Sequence, residues 1–200
     1  MAATVVVKEI NGTPGSKVYT TVDNSTAKAR YKTKDEVTSD LNYPCVIPST
    51  GFNYSYWKSH CLYISGTYTQ ITNIRWYSAG DPSWDLGTSG MDRVAQRSSG
   101  DHGCPDASYA QATGTQGTTG NDLFDATNGH SYFKSGVGAT PVHVGTYISS
   151  AMMNVDTTST YTGTTYTYNV VTQVKIDTAA NGALQGLKAA TTFTFVWDEI

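Results

Sequence analysis

Charged side chains are scarce in this 200-residue sequence. Asp, Glu, Lys and Arg make up 14% of it, against roughly 25% in a typical soluble domain. The net charge of −3 offers no basic patch of the kind that binds phosphates, so we expect no nucleic-acid partner. The apolar runs are far shorter than the ~20 residues of a membrane span, so we expect no membrane partner either.

Cysteine and targeting signals are also sparse. The three cysteines, Cys45, Cys61 and Cys104, are odd in number and widely spaced, which predicts free, mostly buried thiols. A Cys61–Cys104 bridge formed after release from the cell is the alternative. The segment Met1–Ile10 lacks the basic start and apolar core of a secretory signal, so we expect synthesis in a cytoplasm.

Catalytic motifs are missing as well. The sequence contains no G-x-S-x-G elbow, no P-loop and no G-x-G-x-x-G fingerprint, and its many Ser and Thr residues single out no nucleophile. The four histidines are scattered, and their spacing to cysteine does not match a zinc site. We therefore predict a protein that is not an enzyme and has no cofactor; a hydrolase would require a concave acidic pocket with a perturbed carboxylate.

The sequence is instead rich in β pattern. Near its end, Phe193, Phe195 and Trp197 alternate with threonine and valine, the period of a half-buried strand. Similar runs recur, and no helical stripe of apolar residues appears. Turn residues separate the runs at hairpin spacing, and glycine occurs 19 times. This pattern predicts an all-β fold: a single antiparallel β-sandwich or jelly-roll-like domain over residues 1–200.

One stretch, residues 81–129, departs from this pattern. It is dense in Gly, Ser, Asp and Thr, and we interpret it as a long loop-rich insertion carrying short strands, with Tyr109–Ala112 the best candidate and a helical turn at Asn121–Ala126. If the protein has a specific contact site, we expect it here. Weak candidate ligands for calcium are Asp81, Asp85, Asp101 and Asp106. Solvated turns are the favoured interpretation, because no EF-hand pattern is present.

The aromatic residues allow two interpretations. The first assigns one set to the core, as large aromatics on paired strands usually are: Trp57, Trp76, Phe193, Phe195 and Trp197. It leaves Trp84, which follows Asp-Pro-Ser in a loop-rich setting, as the candidate for an exposed binding residue. The second interpretation makes a sugar-stacking platform of Tyr54, Tyr56, Trp57, Trp76, Tyr77 and Trp84.

Four segments together resemble a known class of proteins. They are Asn53–Lys58, Ile71–Tyr77, Val171–Ile176 and Thr192–Glu199. In composition and strand pattern they resemble the small β-sandwich structural proteins of tailed bacterial or archaeal viruses, which coat capsids or build tails. The resemblance implies a virion location after synthesis in the host cytoplasm and no catalytic residues.

The same resemblance implies a capsid decoration or stabilising protein that forms homo-oligomers. Its partners would be copies of itself and a major capsid or tail protein, and low charge suits such contacts. The alternative is a carbohydrate-binding β-sandwich module that attaches to host glycans.

Overall fold

The computed structural model describes residues 2–22, 29–88, 90–96, 109–131, 133, 135–136, 140–180 and 190–200, with the backbone alone for 91–96. The described residues form an all-β structure with antiparallel pairing, which confirms the predicted fold class. No helix among them is long and apolar enough to cross a membrane. The strands are β1 Thr4–Asn11, β2 Val18–Thr21, β3 Phe52–Tyr54, β4 Lys58–Ser65, β5 Ile71–Ser78, β6 Met91–Gln96, β7 Gly114–Thr115, β8 Thr119–Gly120, β9 Val142–His143, β10 Met153–Asp156, β11 Thr165–Tyr166, β12 Val170–Asp177 and β13 Phe193–Glu199.

These strands pair into one large and two small sheets. The main sheet has the order β2-β1-β4-β12-β6-β9, with β11 also pairing with β4 and β3 with β12. The second sheet has the order β10-β5-β13, and β7 and β8 form a hairpin. Two 3-10 turns, Pro14–Ser16 and Val144–Thr146, complete the regular structure in the described part of the chain.

The largest core cluster draws on both the main and the second sheet. In the main sheet, Leu62 of β4 lies opposite Val7 of β1. Both belong to a cluster that includes Ile74 and Trp76 of β5. Trp76 is 1% exposed and Ile74 fully buried, whereas their neighbours on β5 are half-exposed. Burial of one face of each sheet is the dominant stabilising contribution here.

The opposite face of the main sheet is buried too. Val171 of β12 packs there with Trp57, Leu123 and Phe133, all nearly inaccessible to solvent. Trp57 donates its indole N–H to the carbonyl oxygen of Ala110 at 2.9 Å. A smaller cluster of Ile10, Cys61 and Tyr109 continues along the same face. Residues 109–133 therefore cover the main sheet on the side away from the second sheet.

The closing strand pairs with β5 alone among the described strands. Phe195 is buried, and Phe193 and Trp197 are half-buried and pack against the largest core cluster. The register between β13 and β5 shifts between Val196 and Asp198. Phe193 also contacts Trp76, with ring centroids 5.1 Å apart. This strand thus lies on the core in the way its alternation predicts.

The described parts of the stretch 81–129 contain three short strands, β6, β7 and β8. Met91–Gln96 is strand β6, paired with β12 on one side and β9 on the other. The prediction of a strand at Tyr109–Ala112 was wrong, although Tyr109 and Ala112 are buried. Turns, not a helical turn, occupy Asn121–Ala126. The sequence of β6 has no clean alternation, so its strand character comes from pairing with two neighbours.

The structure describes two of the three cysteines for which free, mostly buried thiols were predicted. Cys45 is a free thiol at a partly exposed position, and Cys61 is fully buried in the main sheet. Cys104 lies outside the described residues, and with it the proposed Cys61–Cys104 bridge.

Candidate functional site

A cleft of about 200 Å³ lies at the end of the main sheet, where the chain leaves β5. The loop Asp81–Gly87 forms most of its wall, and His143 of β9 faces that loop. Three residues singled out from the sequence, Asp81, Trp84 and Asp85, line this one cleft.

The loop Asp81–Gly87 has an unusual backbone. Ser83 and Asp85 both have a backbone φ of 51°. This left-handed conformation is rare for residues other than glycine. Gly87 has φ of 98°, and a Cβ added there would lie 1.7 Å from Oδ1 of Asp177. The carbonyl of Leu86 accepts a hydrogen bond from the Asp177 N–H at 3.0 Å. The loop is thus anchored on the end of β12 in a shape that needs glycine at position 87.

Asp81 and His143 form a donor–acceptor pair inside the cleft. The Nδ1 atom of His143 accepts a hydrogen bond from the Gly145 N–H at 3.0 Å, so in the neutral ring the proton resides on Nε2. Nε2 lies 3.7 Å from Oδ1 of Asp81, too far for a direct hydrogen bond. The side chain of His143 is 34% exposed, and that of Asp81 is 65% exposed. A hydroxyl group placed between them can accept from the imidazole and donate to the carboxylate.

Trp84 adds an aromatic wall to the cleft. Its side chain is half-buried, and its ring meets that of Tyr31 edge-on, with centroids 5.9 Å apart. The other members of the sugar-stacking set are placed differently. Tyr56, Trp57 and Trp76 are buried, and the two tryptophans pack in separate clusters. The larger platform is therefore not formed, and Trp84 alone of that set lines the cleft.

The calcium candidates are only partly assembled. Asp81 and Asp85 line the same cleft, whereas Asp101 and Asp106 lie outside the described residues. Asp81 already accepts a hydrogen bond from the Ser83 N–H at 2.8 Å, as aspartates in turns commonly do. Within the described ranges, no group of three or more His, Cys, Asp or Glu residues is placed to hold a metal ion.

Sequence reasoning missed a buried polar cluster between β1 and β4. Glu9 is fully buried, Lys58 is 2% exposed and Asn11 is 8% exposed. Oε1 of Glu9 accepts hydrogen bonds from Nζ of Lys58 at 2.7 Å and from Nδ2 of Asn11 at 3.2 Å. Its other oxygen lies 3.6 Å from Nε2 of His60. The available signal was the position of Glu9 two residues after Val7 and of Lys58 four residues before Leu62, in strands whose faces continue with apolar residues.

Burial and charge oppose each other at Glu9. Burial by itself raises the pKa of a carboxyl group. The positive charge of Lys58, together with the nearby His60 ring and the hydrogen bond from Lys58, outweighs burial and lowers the pKa of Glu9 to about 2. Glu9 is thus a carboxylate in contact with an ammonium group, both shielded from water.

The segment 32–40 packs against this cluster through hydrogen bonds. The carbonyl of Glu36 accepts a hydrogen bond from Nζ of Lys58 at 2.5 Å. Asp35 accepts hydrogen bonds from the Gly12 N–H at 2.8 Å and from Nδ2 of Asn11 at 2.9 Å. Lys32 pairs with Glu36 and, at 2.7 Å, with Asp40. Cys45 also lies near Lys58, and burial raises the pKa of its thiol to about 12.

Comparison of the chain with protein-family models, with curated proteins and with solved structures finds no match.

Proposed function

We propose that this chain is a non-enzymatic virion structural protein, a capsid decoration or stabilising protein that acts through protein–protein contacts. We further propose that its single domain is a jelly-roll-like β-sandwich over residues 1–200. Support for the sandwich comes from the largest core cluster, which contains Leu62 and Val170 of the main sheet and Trp76 and Phe195 of the second.

The observation that carries the proposal is the set of open sheet edges. In the described part of the chain, β2 ends the main sheet and β13 ends the second sheet. On β2, Val18 is 59% exposed, and Ile200, directly after β13, is 71% exposed. An open edge with exposed apolar side chains is a liability in a monomer and a docking strip for a neighbouring subunit. Symmetric assembly of identical copies would cover such strips repeatedly.

The test combines self-association with particle composition. We expect the purified chain to form oligomers in light scattering at high concentration and to be found in purified particles by mass spectrometry. Val18→Lys should weaken self-association, because it puts a charge on the edge strand without disturbing the core. The matched control is Leu41→Lys, at a position that is 69% exposed but belongs to no strand. A monomer at high concentration that is also absent from particles would overturn the proposal.

A second candidate function, attachment to host glycans, is favoured by the cleft. It combines an aromatic ring, which can stack on the C–H face of a sugar, with the Asp81–His143 pair, which can bind one hydroxyl. We expect glycan-array binding that Trp84→Ala abolishes while the circular dichroism spectrum stays unchanged. Phe52→Ala is the control, since Phe52 is an exposed aromatic at 41% that does not line the cleft. Array binding that survives Trp84→Ala would count against this function.

A further inference from the structure

Lys58 and Asn11 lie next to each other across two paired strands. The register of β1 and β4 places Ile10 opposite Ser59, so the next step brings Asn11 opposite Lys58. Both side chains bind the same oxygen of Glu9, Lys58 through Nζ at 2.7 Å and Asn11 through Nδ2 at 3.2 Å. An amine, a carboxamide and a carboxylate thus share one buried site.

The orientation of the Asn11 amide is fixed by its neighbours. Its nitrogen faces two carboxylates, those of Glu9 and Asp35, and only the NH₂ group can donate to both. Its oxygen, Oδ1, is buried and has no hydrogen-bond partner among the described residues. An unsatisfied buried carbonyl is unfavourable and calls for a reason beyond packing.

We propose that Lys58 and Asn11 become joined by an intramolecular isopeptide bond, with Glu9 as the proton shuttle. Nζ of Lys58 gives a proton to Oε1 of Glu9 and attacks Cγ of Asn11, forming the new C–N bond. The Cγ–Nδ2 bond then breaks, and Nδ2 takes up the proton held by Glu9. With the second proton that Nζ loses, the departing group leaves as ammonium. The reaction of one ammonium side chain and one carboxamide yields one amide and one ammonium ion, with no oxidant or cofactor.

The surroundings favour the reaction through the placement of the groups and the exclusion of water. The groups are held together by the fold, and such positioning replaces a bimolecular encounter with an intramolecular one. The site excludes water, because Glu9 and Lys58 are at most 2% exposed and segment 32–40 covers them. Glu9 stands in hydrogen-bond contact with both the attacking and the departing nitrogen, as a single acid–base group must.

The bond would fix the edge half of the main sheet covalently. It joins β1 to β4 and closes the chain between residues 11 and 58, which constrains the unfolded state in the way a disulfide does. Unlike a disulfide, it is indifferent to reducing conditions.

Mass spectrometry of the folded, full-length chain tests the proposal directly. We expect an intact mass lower than the sequence mass by one ammonia, about 17 Da. Trypsin should release residues 9–17 joined to residues 35–75, because a modified Lys58 is no longer cleaved. A wild-type chain with the full sequence mass and free peptides 9–17 and 35–58 would overturn the proposal, as would loss of one water, which would identify a carboxylate as the acceptor.

Variants separate the role of each residue. Lys58→Met, Asn11→Ala and Glu9→Gln should each restore the full mass. Lys32→Met is the matched control, because Lys32 is also 2% exposed and ion-paired, but its hydrogen bonds among the described residues go to Glu36, Asp40 and the Thr38 carbonyl and to no carboxamide. This variant should keep the ammonia loss. If a variant does not fold, the wild-type mass still decides. If Glu9→Gln folds and still loses ammonia, Glu9 is not the shuttle and the proposal fails as stated.

Discussion

At the scale of single residues, buried polar side chains join distant parts of the chain. Gln173 is fully buried with its amide completely bonded. Its oxygen accepts from the Leu123 N–H at 2.9 Å, and its nitrogen donates to the carbonyls of Ser55 at 2.8 Å and Asn121 at 2.7 Å. Local sequence pattern could not reveal this role, because each partner lies 50 or more positions away.

Asp156 is a second buried polar side chain with several hydrogen-bond partners, and it carries a charge. Tyr161 donates its hydroxyl to Oδ2 of Asp156 at 2.6 Å, and the N–H groups of Thr158 and Ser159 donate to Oδ1. Burial raises the pKa of this carboxyl group, but these hydrogen bonds prevail and lower it to about 2. The folded state thus holds Asp156 ionised over a pH range in which an unfolded chain would protonate it.

We expect Tyr161→Phe to lower the free energy of unfolding by about 1–3 kcal/mol at neutral pH, since a buried bond to a charged group is lost. In the wild type, the contribution of Asp156, about 2 kcal/mol, is fully present above its unfolded pKa near 4 and disappears as the pH falls towards 2. The variant should therefore show a weaker loss of stability between pH 4 and 2. Urea unfolding across this pH range measures both effects.

The control is Tyr68→Phe, which removes a hydroxyl bonded to the Gly163 carbonyl in an exposed setting. We expect a small change in stability and an unaltered acid profile. An acid profile in Tyr161→Phe identical to that of the wild type would contradict the role given to Asp156.

At the scale of elements, strands with a clean alternation were predictable and strands without one were not. β13 shows its buried face in its sequence, because Phe193, Phe195 and Trp197 all pack on the largest core cluster. β6 does not, since its place between β12 and β9 depends on partners far away in the sequence. The cleft was anticipated in part, through Asp81, Trp84 and Asp85, whereas His143 joins it from a separate strand.

Within β13, we expect the two faces to respond differently to truncation. Phe195→Ala removes a buried ring and should cost about 3–5 kcal/mol. Thr194→Ala, on the opposite face and half-exposed, should cost less than about 1 kcal/mol. Thermal unfolding of both variants measures the difference, and equal costs would show that β13 does not lie on the core as described.

At the scale of the whole molecule, the main sheet is covered on both faces. The second sheet packs on one face through the largest core cluster, and residues 109–133 pack on the other. The sequence predicts an all-β fold but not this second cover, because residues 109–133 show no strand or helix period. Their buried side chains, such as Leu123 and Phe133, follow no regular spacing along the sequence.

We expect the second sheet and residues 109–133 to unfold together with the main sheet as one unit. Leu123→Ala creates a cavity at a fully buried position and should cost about 2–5 kcal/mol. Calorimetry should show one transition at a lower Tm, matched by tryptophan fluorescence. The control, Leu41→Ala, changes a residue that is 69% exposed and should leave the Tm nearly unchanged. Two separate transitions in Leu123→Ala would show that residues 109–133 unfold independently.

The strand order of the main sheet also sets when folding can be completed. Strand β4 pairs with β12, more than a hundred positions further along the chain. Strand β5 pairs with β10 and β13, which also lie far along the chain from it. Long-range pairings of this kind slow folding, because the loop must close before any contact is gained. While the chain is being translated, β1 is already available to pair with β4, but β5 emerges from the ribosome long before β10 and β13. The apolar face of β5 lacks its sheet partners during that interval, so we expect chaperones or a low temperature during expression to raise the yield of folded protein.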